Sequence, residues 1–369
     1  MKKNHAFLAA AMAAALCFSL SSCTAASAVS SGSASSGASS AAAGSASGTA
    51  AASASGQSST ASAAALTKVT FVLDWTPNTN HTGLYVALAK GWFEDAGLAV
   101  EIVQPPEDGA EMLVGSGKAD FGVSFQDSME PALVGDEALP ITAVAAVIQH
   151  NTSGIVSRAG EGINTPKGLE GKKYATWDLP VEKAMLQNVM QQDGGDFSKV
   201  VMIPSTITDE PSALKSKSVD AIWIFYAWAG IACENAGVPT DFFAFRDINP
   251  VFDYYTPVII ANNSFLEAHP ETARAFLAAL KKGYEYAEAQ PEEAAEILME
   301  QNPELRSSAD LVTASQKYLA GRYTAEAASW GVIDPARWNA FYNWLNENGL
   351  SDPVIPENTG FTNAYLPQN

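Results

Sequence analysis

The chain has 369 residues, of which 47% are hydrophobic, and a formal net charge of -19 at pH 7. This length is enough for two domains or one large one, and the apolar content suits a packed globular protein. The acidity excludes a role in binding nucleic acid, because no basic stripe is present to replace phosphate counterions. It also argues against electrostatic docking on anionic lipid.

The amino terminus has the pattern of an exported bacterial lipoprotein. Lys2 and Lys3 precede an apolar run that is short for a membrane span and ends at small residues, which is the order of a secretory signal. The ending LSSC (residues 20–23) resembles the lipobox, in which the cysteine is lipidated. We therefore predict a signal peptide over residues 1–22 and a lipid on Cys23; an ordinary signal peptide that contains a cysteine is the alternative.

A low-complexity segment follows the cysteine. Residues 24–66 are almost entirely Ser, Ala, Gly and Thr, without charged or aromatic residues. Such a composition cannot bury enough apolar surface to offset its ordering entropy. We predict that residues 23–66 form a disordered tether, so that the globular part is held on the outer face of the cytoplasmic membrane or in a periplasm.

From Lys68 onward, strand-like and helix-like segments alternate. Residues 69–73 (VTFVL) predict a buried strand, residues 83–97 a helix and residues 98–103 (LAVEIV) a second strand, parallel to the first. Further strands are predicted at 119–125, 141–149, 153–158, 172–177, 200–204, 219–225 and 258–262, and further helices at 109–116, 180–194, 209–217, 270–289, 291–301, 308–323 and 335–349.

This alternation indicates an α/β fold with mainly parallel sheet. Two similar blocks followed by a mostly helical tail indicate two lobes, and the tail is expected to rejoin the first. We predict that lobe I comprises residues 67–155 plus 256–369 and that lobe II comprises residues 156–255. Two chain crossings then form a hinge, and the hinge creates an interlobe cleft.

The loop LDWTPNTNHTG (residues 73–83) lies between the first strand and its helix. In open α/β sheets, ligands bind beyond the carboxyl ends of the strands. Trp75 is placed to lie against a planar ligand, while Asn78, Asn80 and His81 can form hydrogen bonds. The alternative is that the polar residues form a turn and a helix cap, with Trp75 in the core.

Other predicted strand ends also combine aromatic and polar residues. Gln126 follows Phe125, Trp177 precedes an aspartate, and Tyr226 and Trp228 follow the strand VDAIWIF. Each alone is more typical of core packing or capping. Together they favour a cleft for a flat, neutral-to-polar molecule, bound by stacking and selected by buried hydrogen bonds.

The segments LDWTPNTNHTGLYVALAKGWFEDAGL, GKADFGVSFQ, IQHNTSGIVS, VDAIWIFYAWAG and FDYYTPVIIAN resemble the ThiY-like bacterial substrate-binding proteins, which share a fold with the fungal thiamine-pyrimidine synthase. The resemblance runs from about residue 68 to 323. It implies a type II periplasmic-binding-protein fold and a monomer that closes on a formylaminopyrimidine or hydroxymethylpyrimidine. It also implies delivery to an ABC permease and its ATPase, with no cofactor and no catalytic residue.

The resemblance also implies ligand contacts at particular positions of this chain. Trp177 and Trp228, from the strand ends above, complete the predicted ligand-binding set, which comprises Asp74, Trp75, Asn78, His81, Tyr85, Gln126, Trp177, Tyr226 and Trp228. One departure concerns the ligand: many relatives carry a glutamate where this chain has Ala229. The ligand could therefore also be a related pyrimidine, a riboflavin-like heterocycle or another amine-bearing aromatic molecule.

Three other functions fit the sequence less well. An enzyme of the synthase branch would use pyridoxal phosphate, a sacrificial histidine and a cysteine-rich iron motif, whereas the mature domain has only Cys233, interpreted as a small buried residue. A receptor for sulfonate, nitrate or taurine needs cationic groups, and the loops above contain no Arg or Lys. A metal site is disfavoured because His81, His150 and His269 lack the spacing of paired ligands.

Overall fold

The computed structural model describes residues 65–367. The predicted signal peptide, Cys23 and the tether up to residue 64 lie outside the described residues. Within residues 65–367, no helix combines the length and apolarity needed to cross a bilayer.

The described strands belong to two five-stranded sheets. Their bounds are β1 Thr67–Val72, β2 Leu98–Val103, β3 Phe121–Ser124, β4 Ile141–Ala146, β5 Ser153–Arg158, β6 Lys173–Thr176, β7 Val201–Pro204, β8 Ala221–Phe225, β9 Thr240–Ala244 and β10 Val258–Asn262.

The helices cover the sheets and dominate the carboxyl-terminal part. Their bounds are α1 Thr82–Ala89, α2 Trp92–Asp95, α3 Gly109–Gly115, α4 Glu130–Leu133, α5 Pro180–Gln192, α6 Glu210–Ser216, α7 Ile231–Asn235, α8 Phe245–Ile248, α9 Asn263–Ala268, α10 Pro270–Ala289, α11 Pro291–Gln301, α12 Ala309–Ala320 and α13 Pro335–Glu347.

Most predicted elements are confirmed within a few residues. The differences are one predicted helix that is divided, and the elements that the sequence does not predict, namely β9 and the short helices α4, α7, α8 and α9. The predicted helix 83–97 is divided into α1 and α2, because Gly91 adopts a left-handed conformation with φ of 73°. Strand β9 had not been predicted. It pairs only with β5 at the edge of its sheet, and only Phe243 and Ala244 of its five residues are buried, so its apolar pattern is weak.

The two sheets have corresponding strand orders, β2-β1-β3-β10-β4 and β7-β6-β8-β5-β9. In each, one strand runs against the other four: β10 is antiparallel to β3 and β4, and β5 is antiparallel to β8 and β9. This corrects the prediction of mainly parallel pairing. Strand β5 follows β4 of the first sheet, and β10 follows β9 of the second sheet, so each is the first strand after the chain has crossed between the sheets. Because a chain arriving from the opposite sheet enters at the facing edge, it runs in the reverse direction.

The helical tail packs against the first sheet through an aromatic core. Phe276 of α10 stacks on Phe121 with ring centroids 4.3 Å apart and on Phe93 at 5.2 Å. Helices α1 and α10 approach so closely that a Cβ added at Gly283 would lie 1.9 Å from the carbonyl oxygen of Gly83. This backbone contact fixes the helix that follows the loop at residues 73–83.

We expect Gly283→Ala to lower the free energy of unfolding by about 3 kcal/mol, because a methyl group cannot be accommodated against a backbone oxygen without moving a helix. Urea unfolding followed by circular dichroism measures the change. Gly321→Ala is the control, since a Cβ at Gly321 meets nothing within 4 Å. Equal stability of both variants and the unmodified protein would contradict close packing of α1 on α10.

Candidate ligand-binding cleft

The sheet topology brings the predicted loops to two facing edges. The carboxyl ends of β1 and β3 lie on one edge, and those of β6 and β8 lie on the other, beside the amino ends of the entering strands. Trp75 follows β1 and is 58% exposed, and Trp177 follows β6 and is 43% exposed. Both indoles are candidates for ligand contact, because ligands of open α/β sheets bind beyond the carboxyl ends of the strands.

The loop after β1 is held by its own polar side chains. The backbone N–H of Asn78 donates to Nδ1 of His81 at 3.2 Å, and Asn78 Oδ1 accepts from the Asn80 N–H at 2.9 Å. Because Nδ1 accepts, Nε2 carries the proton of the neutral ring and donates to Asp74 Oδ1 at 2.6 Å. His81 is 1% exposed. Both ring nitrogens are therefore engaged, and His81 orients Asp74 beside Trp75.

The helical tail also holds this loop. The hydroxyl of Tyr284 in α10 donates to the carbonyl of Asn80 at 2.7 Å, and that of Tyr323 donates to the carbonyl of Thr79 at 2.9 Å. Ser315 of α12 contacts the Thr79 hydroxyl at 2.6 Å and donates to the carbonyl of Ala227, which follows β8. Helix α12 thus contacts loops from both edges of the cleft.

Two further residues of the predicted set, Gln126 and Tyr85, are buried. Gln126 is fully buried; its amide donates to the Trp338 carbonyl at 2.8 Å, and its oxygen accepts from the Tyr255 N–H at 2.9 Å. Tyr85 is 6% exposed and packs beside α11 and α12. Burial raises the pKa of Tyr85 to about 12, although a hydrogen bond with Asn302 lowers it. In this conformation both side chains lie behind the cleft surface.

The other edge is shaped by a π-helical turn, Tyr226–Gly230, directly after β8. Single π turns are frequent at functional sites. The Tyr226 ring lies 4.8 Å from that of Phe242 and 5.5 Å from that of Tyr318, and its hydroxyl donates to Glu234. Trp228 of the same turn lines a cavity together with Trp177.

A buried carboxylate fixes the loop that carries Trp177. Glu182 of α5 is 3% exposed and accepts from the Tyr174 hydroxyl at 2.8 Å and the Thr176 hydroxyl at 2.9 Å. It also accepts from the backbone N–H of Trp177 at 3.3 Å. The exposed indole is therefore presented from a fixed backbone.

Two cavities adjoin at the cleft. The larger, about 710 Å³, lies at the ends of β1 and β3, and the smaller, about 160 Å³, lies at the ends of β6, β7 and β8. Phe125 lines the first and Phe225 the second, and their rings stack with centroids 6.0 Å apart. Among the described residues lining the larger cavity there is no Lys, Arg or His, and the acidic ones are Asp74, Asp108, Glu111, Asp136 and Glu137.

The smaller cavity contains residues that sequence reasoning missed. Glu210 begins α6 after β7, and Trp223 and Phe225 belong to β8 itself. Ligands of open α/β sheets bind beyond the carboxyl ends of the strands, and Glu210 follows the carboxyl end of β7. This position could have identified Glu210 as a candidate. Trp223 lies within β8, and the pattern of apolar residues along this strand does not distinguish it from a core residue.

The chain passes between the two sheets twice, from β4 to β5 and from β9 to β10. A network of charged side chains joins these two crossing segments. His150 Nδ1 lies 2.6 Å from Asp253 Oδ2 and its Nε2 lies 2.7 Å from Glu326 Oε2, so both ring nitrogens are engaged. Arg337 donates to Glu326 at 2.8 Å. Desolvation raises the pKa of Glu326, but hydrogen bonds from its own backbone, Arg337 and His150 outweigh it and lower the pKa to about 2. These contacts join both crossings to the tail.

Neither a metal nor a reactive thiol is indicated by the described part of the chain. Residues 65–367 contain no group of three or more His, Cys, Asp or Glu side chains suited to a metal ion. Cys233 is fully buried, and burial raises the pKa of its thiol to about 11. A thiolate nucleophile at neutral pH is therefore disfavoured.

This fold, with two α/β sheets and a cleft at their strand ends, is that of the type II periplasmic binding proteins. The periplasmic aliphatic sulphonate-binding protein SsuA of Escherichia coli superimposes with a TM-score of 0.59 at 16% identity, over 78% of this chain and 89% of that one. At this identity the match establishes the fold alone.

The sequence identifies the family. The NMT1/THI5-like family model matches residues 78–294, more than half of the chain, and the chain belongs to that family. A formylaminopyrimidine-binding protein of Halalkalibacterium halodurans is 28% identical over 79% of this chain and 89% of its own length. A 4-amino-5-hydroxymethyl-2-methylpyrimidine phosphate synthase of Saccharomyces cerevisiae is 24% identical over 81% and 88% respectively.

We expect Cys233 to resist alkylation by iodoacetamide in the native protein at pH 8, because its thiol is buried and its pKa is raised. Mass spectrometry of the peptide containing Cys233 measures the modified fraction, and the same reaction in guanidinium chloride provides the control. Rapid modification of the folded protein would indicate an accessible thiolate instead.

Proposed function

We propose that this protein is an exported solute-binding protein that captures a pyrimidine precursor of thiamine, of the formylaminopyrimidine or hydroxymethylpyrimidine type, and delivers it to an ABC importer. The observation that carries the proposal is the pair of exposed indoles, Trp75 and Trp177, held on fixed loops at the two edges of one cleft. The relationship to a formylaminopyrimidine-binding protein supports the choice of ligand class.

The charge of the larger cavity supports a ligand that carries amino groups. Its acidic lining can accept hydrogen bonds from an amine and repels an anion. A receptor for sulfonate or nitrate requires the opposite arrangement, so the shared fold with a sulphonate-binding protein does not extend to its ligand.

The proposed mechanism is a shift of population between open and closed forms. A ligand that contacts both edges of the cleft stabilises only the closed form, and the permease then recognises that form. Contacts such as the stack of Phe125 on Phe225 join the two edges directly. The predicted lipid on Cys23 and the tether would keep the receptor beside the membrane in which the importer lies.

An enzymatic role is the second candidate, because the relatives include a pyrimidine phosphate synthase. The engaged ring nitrogens of His81 and His150 favour binding over a reaction that consumes a histidine. Incubation with iron and pyridoxal phosphate, followed by mass spectrometry of His81 and His150, distinguishes the two: binding predicts unchanged histidines, and a converted histidine would favour the enzyme.

Isothermal titration calorimetry tests the ligand class. We expect formylaminopyrimidine or hydroxymethylpyrimidine to give saturable one-to-one binding, and riboflavin and an alkyl sulfonate to give none. Binding of riboflavin alone would replace the pyrimidine by another aromatic heterocycle. Absence of binding by both pyrimidines would contradict the proposal.

We expect Trp75→Ala to reduce the affinity more than His81→Ala does. The indole supplies stacking of about 1–3 kcal/mol and excludes water, whereas His81 acts on the ligand through Asp74. Calorimetry with the pyrimidine that binds measures both variants, and Val354→Ala, at a position 63% exposed, is the control. Negligible losses in both site variants would show that the ligand binds elsewhere.

A further inference from the structure

His150 lies in the first crossing segment, between β4 and β5, and both of its ring nitrogens contact carboxylate oxygens. Nδ1 lies 2.6 Å from Asp253 Oδ2 in the second crossing segment, and Nε2 lies 2.7 Å from Glu326 Oε2, between α12 and α13. A neutral imidazole has one N–H and one lone pair, whereas an imidazolium donates from both nitrogens. Because a carboxylate only accepts hydrogen bonds, both contacts are hydrogen bonds only when His150 is protonated.

Each of the two carboxylates also accepts from a second donor. Asp253 Oδ1 accepts from the backbone N–H of Asn151 at 2.9 Å, and Glu326 Oε1 accepts from Arg337 at 2.8 Å. Desolvation raises the pKa of Glu326, but hydrogen bonds from its own backbone, from Arg337 and from His150 lower it to about 2. Glu326 therefore stays ionised throughout the pH range in which histidine titrates, and His150 is the partner whose protonation changes.

The charges around His150 are equal in number only when its ring carries a proton. Within residues 65–367, the charged side chains that contact His150 or line the cavity of about 570 Å³ beside it are three acids and two bases, namely Asp247, Asp253 and Glu326 with Arg246 and Arg337. A neutral ring leaves one negative charge in excess. The His150 side chain is 29% exposed, so the pH of the solution sets its protonation.

The two crossing segments are also joined by bonds that do not depend on pH. The Asn151 side-chain amide donates to the Phe252 carbonyl at 2.9 Å. The contact of His150 with Glu326 adds the helical tail to this pair of segments. Loss of the His150 proton therefore removes one of the two ring contacts, while the amide bond between the segments persists.

We propose that His150 is a proton-controlled latch that fastens the two crossing segments to each other and to the helical tail. With the ring doubly protonated, His150 binds both carboxylates; with the ring neutral, one carboxylate faces a lone pair and the segments gain freedom to move. The stabilisation is present on the acid side and is lost as the pH rises through the titration of His150. This inference goes beyond the proposed function, because it concerns the crossing segments and is tested without a ligand.

Hydrogen exchange of the mature protein, measured by mass spectrometry, tests the latch. The reporter is the peptide 249–257, in which the N–H groups of Phe252 and Asp253 are hydrogen-bonded. His150→Gln retains an amide donor but carries no charge at any pH. We expect the reporter to exchange about threefold or more faster in this variant than in the unmodified protein at pH 6, and at nearly the same rate at pH 8.5. Comparison at equal pH cancels the intrinsic pH dependence of exchange.

Two further variants sharpen the test. His269→Gln is the matched control, because His269 is exposed and its ring contacts Phe265. It should leave exchange of the reporter unchanged at both pH values. Glu326→Gln leaves one side-chain oxygen for two donors and should accelerate exchange of the reporter at pH 6.

Nuclear magnetic resonance of the unmodified protein gives a second measurement that needs no variant. Loss of the His150 ring proton, followed through its Cε1–H signal, should coincide with faster exchange of the reporter after correction for the intrinsic rate. A ratio of exchange rates between His150→Gln and the unmodified protein that is the same at pH 6 and 8.5 would overturn the latch. Reporter exchange that does not follow the titration of the ring would overturn it too. Neither result depends on pyrimidine binding, so the proposed function is tested separately.

Discussion

The cleft depends on one topological constraint, the two passages of the chain between the sheets. A strand that begins at the facing edge must run against strands that end there, and β5 and β10 do so. Their amino ends consequently lie beside the carboxyl ends of β8 and β3. Every loop that follows a parallel strand then opens toward the same gap, so distant segments of sequence contribute to one site.

The residues that fix the loops of the cleft differ from the residues that these loops expose. His81 and Glu182 are buried, and each directs its hydrogen bonds to a loop that carries an exposed indole. Fixing the backbone in this way lowers the entropy lost when a ligand is bound, which is how preorganisation increases affinity. The helical tail adds to it, because α10 and α12 hold the loop after β1 through Tyr284 and Ser315.

The sequence was sufficient to predict the fold class and the limits of most elements, because hydrophobic periodicity and strand–helix alternation are local signals. It could not give the direction of β10, which depends on where the chain re-enters a sheet. The role of Gln126 was also beyond local pattern: its partners, Trp338 and Tyr255, are far away in sequence. Glu210 was within reach of the sequence, because it follows the carboxyl end of β7, but its place in one cavity with Trp177 depends on packing.

We propose that both edges of the cleft contact a single flat ring. A crystal structure of the protein grown with 4-amino-5-hydroxymethyl-2-methylpyrimidine tests it most directly. We expect the ring to lie between the loops after β1 and β6, in contact with Trp75 or Trp177. A ring bound outside the cleft, with both indoles in contact only with protein or solvent, would contradict it.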